Sequence, residues 1–343
     1  MRAAVITGQG SIDLREVPDP VPRPGGVVVD IAFCGICGTD VHAYAHGGPY
    51  PPTLCGHEWS GTVSAVGDGV RSLAEGDRVS VGVTPACGEC AECRAGLTDW
   101  CTTATMSVAN DPAGSPHGGF AARLAVSAAR VVPVPAAMSD ETAAMIEPAT
   151  VAYHGVRHAG IAPGDTVVVQ GAGPIGVFAL QWARVAGAAT VLVVEPSATR
   201  GALALALGAD LVVGPGEEAA TAVRERTGGL GADVVVECAG VATTVQTAVD
   251  LVRRGGRVSL IGLSALPATI NPGVWLMKEA VVRGSVAYVR ADFDRCVAML
   301  AEGRVRATPV HTSTVDLDGI GAAFDLLAAG DTAQTKILVR PTG

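Results

Sequence analysis

Residues 166–176 read TVVVQGAGPIG: the run "TVVVQ" passes without a break into Gly171-Ala172-Gly173-Pro174-Ile175-Gly176, and "VFALQWARVAG" follows. An uncharged apolar run that ends on glycine predicts a buried strand, and the Ala/Leu-rich stretch after it predicts a helix. Glycines spaced G-x-G-x-x-G at such a junction have separate tasks. Gly171 permits the tight turn, Gly173 lets the backbone approach a pyrophosphate, and Gly176 allows helix and sheet to close on each other. Pro174 and Ile175 complete the cofactor-binding turn, and the helix after Gly176 would offer its positive dipole end to the pyrophosphate. Strand, turn and helix agree, so the segment predicts a dinucleotide site rather than a glycine-rich turn that binds nothing.

Working outward, "VLVVE" (191–195), "LVVG" (211–214), "DVVVECAG" (233–240) and "RVSLIGL" (257–263) repeat the short apolar run, each followed by glycine or by helical sequence. This is the pattern of a doubly wound parallel sheet, a Rossmann-type domain expected over residues 150–287. Glu195 falls 19 residues beyond Gly176, where a carboxylate accepts hydrogen bonds from the adenosine ribose hydroxyls. A 2'-phosphate would meet like charge there, which favours NAD over NADP. Arg200, five residues on, is the counter-signal, since it could reach a phosphate. Cys238, just after a strand of this domain, is a candidate for the cofactor pocket.

Residues 1–149 read differently. Short β segments such as "RAAVIT", "GGVVVDIAFCGI" and "SGTVSAVGDGV" are punctuated by Gly and Pro, which predicts a strand-rich domain with long loops. One loop carries Cys87, Cys90, Cys93 and Cys101 at C-x2-C-x2-C-x7-C spacing. Ionised thiols so close together repel unless a cation holds them, and closed four-sulfur sites are what Zn²⁺ uses for structure. The alternative is a pair of disulfides, which requires an oxidising compartment that nothing else in the sequence indicates. The remaining segment, 288–343, has two helical stretches and the closing strand "KILVR", and is expected to return to the first domain.

The chain has 343 residues, 49% of them hydrophobic but only 4% aromatic, enough apolar surface for two cores of small and β-branched side chains. A net charge of -9 without a basic cluster gives no footprint for nucleic acid or an anionic bilayer. No uncharged apolar run approaches the ~20 residues of a membrane span. Met1–Asp30 lacks the basic and apolar regions of an export signal, so a cytoplasmic protein is expected.

"CGICGTDVH" (34–42) and "CGHEWSG" (55–61) hold a second constellation: Cys37, Thr39, His42, His57 and Glu58. Thiolate, imidazole and carboxylate make a mixed set that holds Zn²⁺ while leaving a position open, the arrangement of a catalytic site. A further ligand is expected from elsewhere, and "MIEPATVAYHGV" (145–156) offers Glu147. A divalent cation in such a site lowers the pKa of a hydroxyl or water bound to it. Tyr50, Trp59 and Trp275 are candidate apolar walls for a substrate, although such residues more often simply pack.

With "GHEWSGTV" (56–63), the four-cysteine lobe, "GAGPIG" and the two-domain order in view, the chain resembles the zinc-dependent alcohol dehydrogenases of the medium-chain dehydrogenase/reductase superfamily. The Glu147-Pro148 pair and "KEAVVRGSVAY" (278–288) are similar to the sorbitol, threonine and 2,3-butanediol dehydrogenase branch. "HGGFAAR" (117–123) departs from the family's "GGFAEY" at Ala122 and Arg123. The resemblance implies an α/β architecture: a GroES-like β-rich catalytic domain plus a Rossmann domain. It implies catalytic zinc on Cys37 and His57, with Glu58 and Glu147 as direct or exchanging ligands, and a second, structural zinc on the four cysteines. It further implies that Thr39 hydrogen-bonds the substrate oxygen, that His42 ends a proton relay, that Lys336 contacts the pyrophosphate, and that the assembly is a homotetramer or homodimer.

The function expected is hydride transfer from a secondary alcohol, vicinal diol or polyol to NAD, giving a ketone. A non-catalytic NAD(H)-binding redox sensor on the same fold is the alternative, and it would not need the open metal set. A zinc-free quinone or enone reductase of the same superfamily conflicts with both metal sets.

Overall fold

The computed structural model describes residues 1–264 and 266–342. In chain order the elements are β1 (Arg2–Gly8), β2 (Ser11–Glu16), β3 (Gly26–Gly35), α1 (Gly38–His46), β4 (Glu58–Val66), β5 (Arg78–Val81), α2 (Ala91–Arg94), α3 (Thr102–Thr105), β6 (Arg123–Ser127), β7 (Val131–Pro133), α4 (Asp140–Ala144) and α5 (Ile146–Ala159). There follow β8 (Thr166–Gln170), α6 (Pro174–Val185), β9 (Thr190–Val194), α7 (Ala198–Ala206), β10 (Leu211–Val213), α8 (Glu217–Arg226), β11 (Ala232–Glu237), α9 (Ala242–Leu251), β12 (Val252–Leu260), α10 (Pro272–Lys278) and β13 (Val281–Gly284). The chain ends with α11 (Arg290–Ala301), β14 (His311–Val315), α12 (Ile320–Ala328) and β15 (Lys336–Val339). No helix among the described residues is long and apolar enough to cross a membrane.

Two compact units form. The first comprises Met1–Glu147, Tyr288–Glu302 and His311–Gly343, and the second Pro148–Ala287 and Gly303–Val310. The segment after Tyr288 therefore does not return whole to the first unit, and the expectation for 288–343 is corrected over residues 303–310. Polar and apolar contacts hold it there: Gln181 on α6 brackets Arg306, its Oε1 accepting the Arg306 N–H (2.8 Å) and its Nε2 donating to the Arg306 carbonyl (3.2 Å), while Val305, Ala307 and Val310 are buried.

The first unit is built on a seven-stranded sheet in the order β14-β15-β3-β4-β5-β7, with β6 also on β3, and a β1-β2 hairpin. Long β3 is the spine. It pairs antiparallel with β4 on one edge and with β6 and β15 on the other, and nearly every side chain along it is buried. Val27, Val29, Ile31, Trp59, Val63, Phe120 and Phe324 make the centre of this core. The β3–β4 register sets Gly35 opposite Glu58, and β15 joins the same end of β3, with Leu338 opposite Gly35. Residues distant in sequence are thereby brought to one corner.

The second unit is a six-stranded sheet in the order β10-β9-β8-β11-β12-β13, every neighbouring pair parallel. The chain begins at β8, runs outward to β10, then crosses back to β11. That places the switch of direction between β8 and β11, where open parallel sheets bind their ligands. Val168, Leu192, Val235, Val249 and Val258 fill the core on one face.

Candidate metal and nucleotide sites

The four lobe cysteines are brought together, their sulfur atoms all within 4.8 Å of one another. Short helices and turns aim backbone donors at the sulfurs: Cys87 N at Cys101 Sγ (3.3 Å), Cys90 N at Cys87 Sγ (3.3 Å), Cys93 N at Cys90 Sγ (3.4 Å) and Ala104 N at Cys101 Sγ (3.4 Å). Such donors stabilise thiolates. The Thr103 hydroxyl, then the Glu89 and Cys90 N–H groups, draw the Cys87 thiol down to about 6, whereas desolvation pushes Cys93 up. Donor type, number and spacing fit a closed zinc site.

The second cluster lies at the β3, β4, β15 corner of the first unit. Ligand atoms of Cys37, His57 and Glu58 all lie within 4.8 Å of one another. Cys37 caps α1: its thiol accepts the Thr39 N–H (3.4 Å), while Asp40 Oδ2 accepts the Cys37 N–H (3.2 Å), a capping box built from a metal candidate. The Thr39 hydroxyl lies 3.6 Å from Cys37 Sγ. His57 Nδ1 is 2.9 Å from the Leu54 carbonyl, which only accepts, so Nδ1 carries a proton and Nε2 is the ring nitrogen that would bind a metal, giving up any proton it holds to do so. Burial pulls the His57 pKa down, but the negative charge of Cys37, then of Asp40, outweighs it and raises the value well above the usual imidazole range.

Glu58 is buried, and Gly35 makes its room: a Cβ at Gly35 would fall 2.3 Å from Glu58 Oε2. That oxygen accepts from Lys336 Nζ at 2.6 Å, and the same ammonium donates to the Ile36 carbonyl at 2.9 Å. Lys336, 2% exposed, was expected at a pyrophosphate; its place is corrected to this buried ion pair, which β15 dictates by lying alongside β3. Glu147 stands outside the group of three. Desolvation pushes its carboxyl up to about 7, with Glu58 adding to the rise and His57 and Lys336 opposing it.

Sequence reasoning missed three members of this corner: Gly35, Asp40 and the true role of Lys336. Asp40 is fully buried, and its Oδ1 accepts from Tyr50 OH (2.7 Å) and Gly56 N (3.3 Å) and lies 4.0 Å from His57 Nδ1. Its signal was the C-x-x-D spacing of a capping box. Tyr50, proposed as a pocket wall, thus spends its hydroxyl on Asp40. Trp59 packs in the core, and Trp275 donates its Nε1 to Gln246 (3.1 Å) in the second unit. His42 sits on α1 with its ring edge-on to His46 at 5.9 Å. Burial, then His46, holds its pKa below 6.5.

In the second unit Gly171 takes φ 89°, the left-handed conformation its turn requires. Gly173 is the N-cap of α6 and Pro174 its first residue, followed by Ile175, so the helix's leading N–H groups face outward past a residue without a side chain. A Cβ at Gly173 would touch nothing within 4 Å, whereas one at Gly176 would fall 1.9 Å from the Gly171 carbonyl. Glu195 follows β9 and braces the turn, accepting from Ala172 N (2.7 Å) and Ser197 N (2.9 Å). Arg200 lies in the first turn of α7, its N–H donating to Ser197 Oγ (3.3 Å). Cys238 packs beside Gly176, donates its N–H to the Gln170 carbonyl (2.9 Å), and has its thiol pushed up by burial. This cradle fits a dinucleotide.

A chain equipped with an open sulfur, nitrogen and oxygen donor set and a dinucleotide turn has the parts of a metal-dependent dehydrogenase. Residues 23–136 match the family model of the alcohol dehydrogenase GroES-like domain, and residues 174–302 that of the zinc-binding dehydrogenases. The chain is 34% identical to a 2-dehydro-3-deoxy-L-galactonate 5-dehydrogenase of Pseudoalteromonas atlantica, over 94% of each chain. It is 32% identical to a sorbitol dehydrogenase of Halalkalibacterium halodurans, over 99% of each. Among solved structures, a putative zinc-binding dehydrogenase from Sinorhizobium meliloti bound to NADP superposes with a TM-score of 0.85 at 32% identity, covering 99% of both chains. The chain belongs to the zinc-binding alcohol dehydrogenase family of the medium-chain dehydrogenase/reductase superfamily.

Proposed function

We propose that the protein is a zinc- and NAD-dependent oxidoreductase that converts a secondary alcohol, vicinal diol or polyol to a ketone, with one catalytic and one structural zinc per chain. The observation that carries this reading is the convergence of Cys37, His57 and Glu58 within 4.8 Å, in a chain of this family. The sorbitol dehydrogenase among its relatives supports the polyol class. Cys37 and His57 would hold the catalytic ion, with Glu58 and Glu147 as direct or exchanging ligands, and Cys87, Cys90, Cys93 and Cys101 the structural one. When bound, zinc lowers the pKa of a hydroxyl beside it, and the nicotinamide takes up the hydride.

The chain's own residues supply the rest. The carboxyl groups of Asp40, Glu58 and Glu147 gather at this corner with the Cys37 sulfur beside Lys336 and His57, acidic company that suits a divalent ion. The hydroxyl of Thr39, close to Cys37 Sγ, is suited to accept and pass on the substrate's hydroxyl proton. His42, neutral at pH 7 because its pKa is held down, is ready to receive it. Glu195 favours NAD, because a 2'-phosphate beside it would meet like charge.

Exposed apolar residues on and beside β13, including Met277 (72%), Val281 (59%) and Val286 (77%), favour a homo-oligomer, either dimer or tetramer. Nine free cysteines suit a reducing cytoplasm. The complete donor set argues against the redox-sensor alternative. The test is a panel of alcohols, diols and polyols mixed with protein and either NAD or NADP, followed by reduced-nicotinamide absorbance. Turnover of polyols with NAD supports the proposal, and failure across the panel with both nucleotides contradicts it.

A further inference from the structure

The switch between β8 and β11 has two sides, and only one of them carries the glycine turn. On the other side, β11 ends in Glu237, which is 1% exposed. Its Oε1 accepts from Ala239 N (2.8 Å) and Gly240 N (2.9 Å). The Thr244 hydroxyl on α9 lies 2.8 Å from the same oxygen and 2.6 Å from the Val241 carbonyl, so its single proton is shared between them. The Glu237 carbonyl accepts from Ile261 N (2.9 Å) and Gly262 N (3.0 Å), which ties in the loop after β12.

These contacts leave no slack. A Cβ at Gly262 would fall 2.6 Å from Glu237 Oε2 and 2.2 Å from Gly240 N, and one at Gly240 would fall 2.7 Å from the Leu263 carbonyl. A Cβ at Gly171, the first glycine of the nucleotide turn, would fall 3.0 Å from Ala239 Cα. The loop that Glu237 holds is therefore in van der Waals contact with the turn across the crevice. The parallel with Glu195 is physical: β9 is followed by Glu195, which accepts the Ala172 N–H of the turn, and β11 ends in Glu237, which accepts N–H groups of the loop packed against that turn.

We propose that Glu237 is a positioning residue for the dinucleotide, fixing residues 238–241 as the second wall of the crevice whose first wall is the turn 171–176. The proposal rests on the reading of this crevice as a nicotinamide dinucleotide site. Removing the acceptor takes the shared carboxylate from the part-buried Ala239 and Gly240 N–H groups and leaves the Thr244 hydroxyl only the Val241 carbonyl, so the loop loses the group that pins it to the end of β11.

The experiment is NADH titration by fluorescence on the zinc-loaded protein, with melting temperature measured without nucleotide. Glu237→Ala is expected to weaken NADH binding roughly tenfold and to raise KM for NAD by a similar factor, with KM for the alcohol at saturating NAD changed less than about twofold. Glu237→Gln keeps an acceptor oxygen and is expected to restore most of the affinity. A wild-type NADH affinity in folded Glu237→Ala overturns the proposal. So does an affinity loss that Glu237→Gln shares in full, because the acceptor would then not be what matters. Should Glu237→Ala fail to fold, Thr244→Val carries the test: about two- to threefold weaker NADH binding supports the proposal, and unchanged binding overturns it. Failure of the unsubstituted protein to bind NADH overturns the dinucleotide reading itself, and shows before any substitution is made.

Discussion

Two clusters of metal-ligating side chains in one unit are built on opposite plans. The lobe of Cys87, Cys90, Cys93 and Cys101 is made within one short stretch of chain, and its sulfurs are met by backbone N–H groups of that same stretch. The corner of Cys37, His57 and Glu58 draws on separate elements, and its neighbours are ionisable: Asp40, Lys336 and Glu147. The first plan would saturate a cation with four like donors and leave it nothing to do but hold. The second leaves donors of three kinds beside groups that exchange protons, which is what chemistry at a hydroxyl requires.

Substitutions should separate the two plans. The largest effect is expected at the open corner, where Cys37→Ser or His57→Ala should lower kcat about 1,000-fold or more while NADH binding persists, read by steady-state kinetics and fluorescence titration. Next comes the lobe. Cys93→Ser should lower the melting temperature by roughly 5–10 °C, with residual kcat per folded molecule far above that of Cys37→Ser.

A smaller effect is expected at Lys336→Met, which leaves the buried Glu58 carboxylate without its cation at 2.6 Å. The loss should be about 3 kcal/mol in urea unfolding of chelator-treated protein, and less with zinc restored, since the metal then offsets the same charge. The smallest concerns His42. Its folded pKa is depressed, so its contribution to stability is fully present above pH 6.5 and is lost as pH falls through the folded value. His42→Asn should flatten the fall in melting temperature between about pH 7 and 5 by a degree or so.

What the sequence disclosed follows the same contrast. Gly171 and Gly176 were legible because a turn that needs φ 89°, and a Cβ that would strike a carbonyl 1.9 Å away, are constraints that act within a few residues. The four cysteines were legible because their spacing is the site. Lys336 was misread because its partner is 278 residues away, and only the placing of β15 against β3 brings the two together. Gly35 was missed for the same reason, since its value lies in the Glu58 side chain across the β3–β4 ladder. Asp40 had a local signal in the capping box, but that signal names a helix start and not the tyrosine and histidine it serves. The return of 303–310 to the second unit draws on Gln181, which no periodicity marks, on the Arg306 bond to the Ala206 carbonyl, and on the burial of Val305, Ala307 and Val310.

The most direct test of the central claim, that the mixed corner holds the working ion and the lobe a structural one, is zinc content per chain beside turnover in the unsubstituted protein, Cys37→Ser and Cys93→Ser. The account predicts about two zinc ions in the first and about one in each variant, with turnover abolished only when the missing ion is the one at Cys37. Retention of both ions, or of turnover, by folded Cys37→Ser would contradict it.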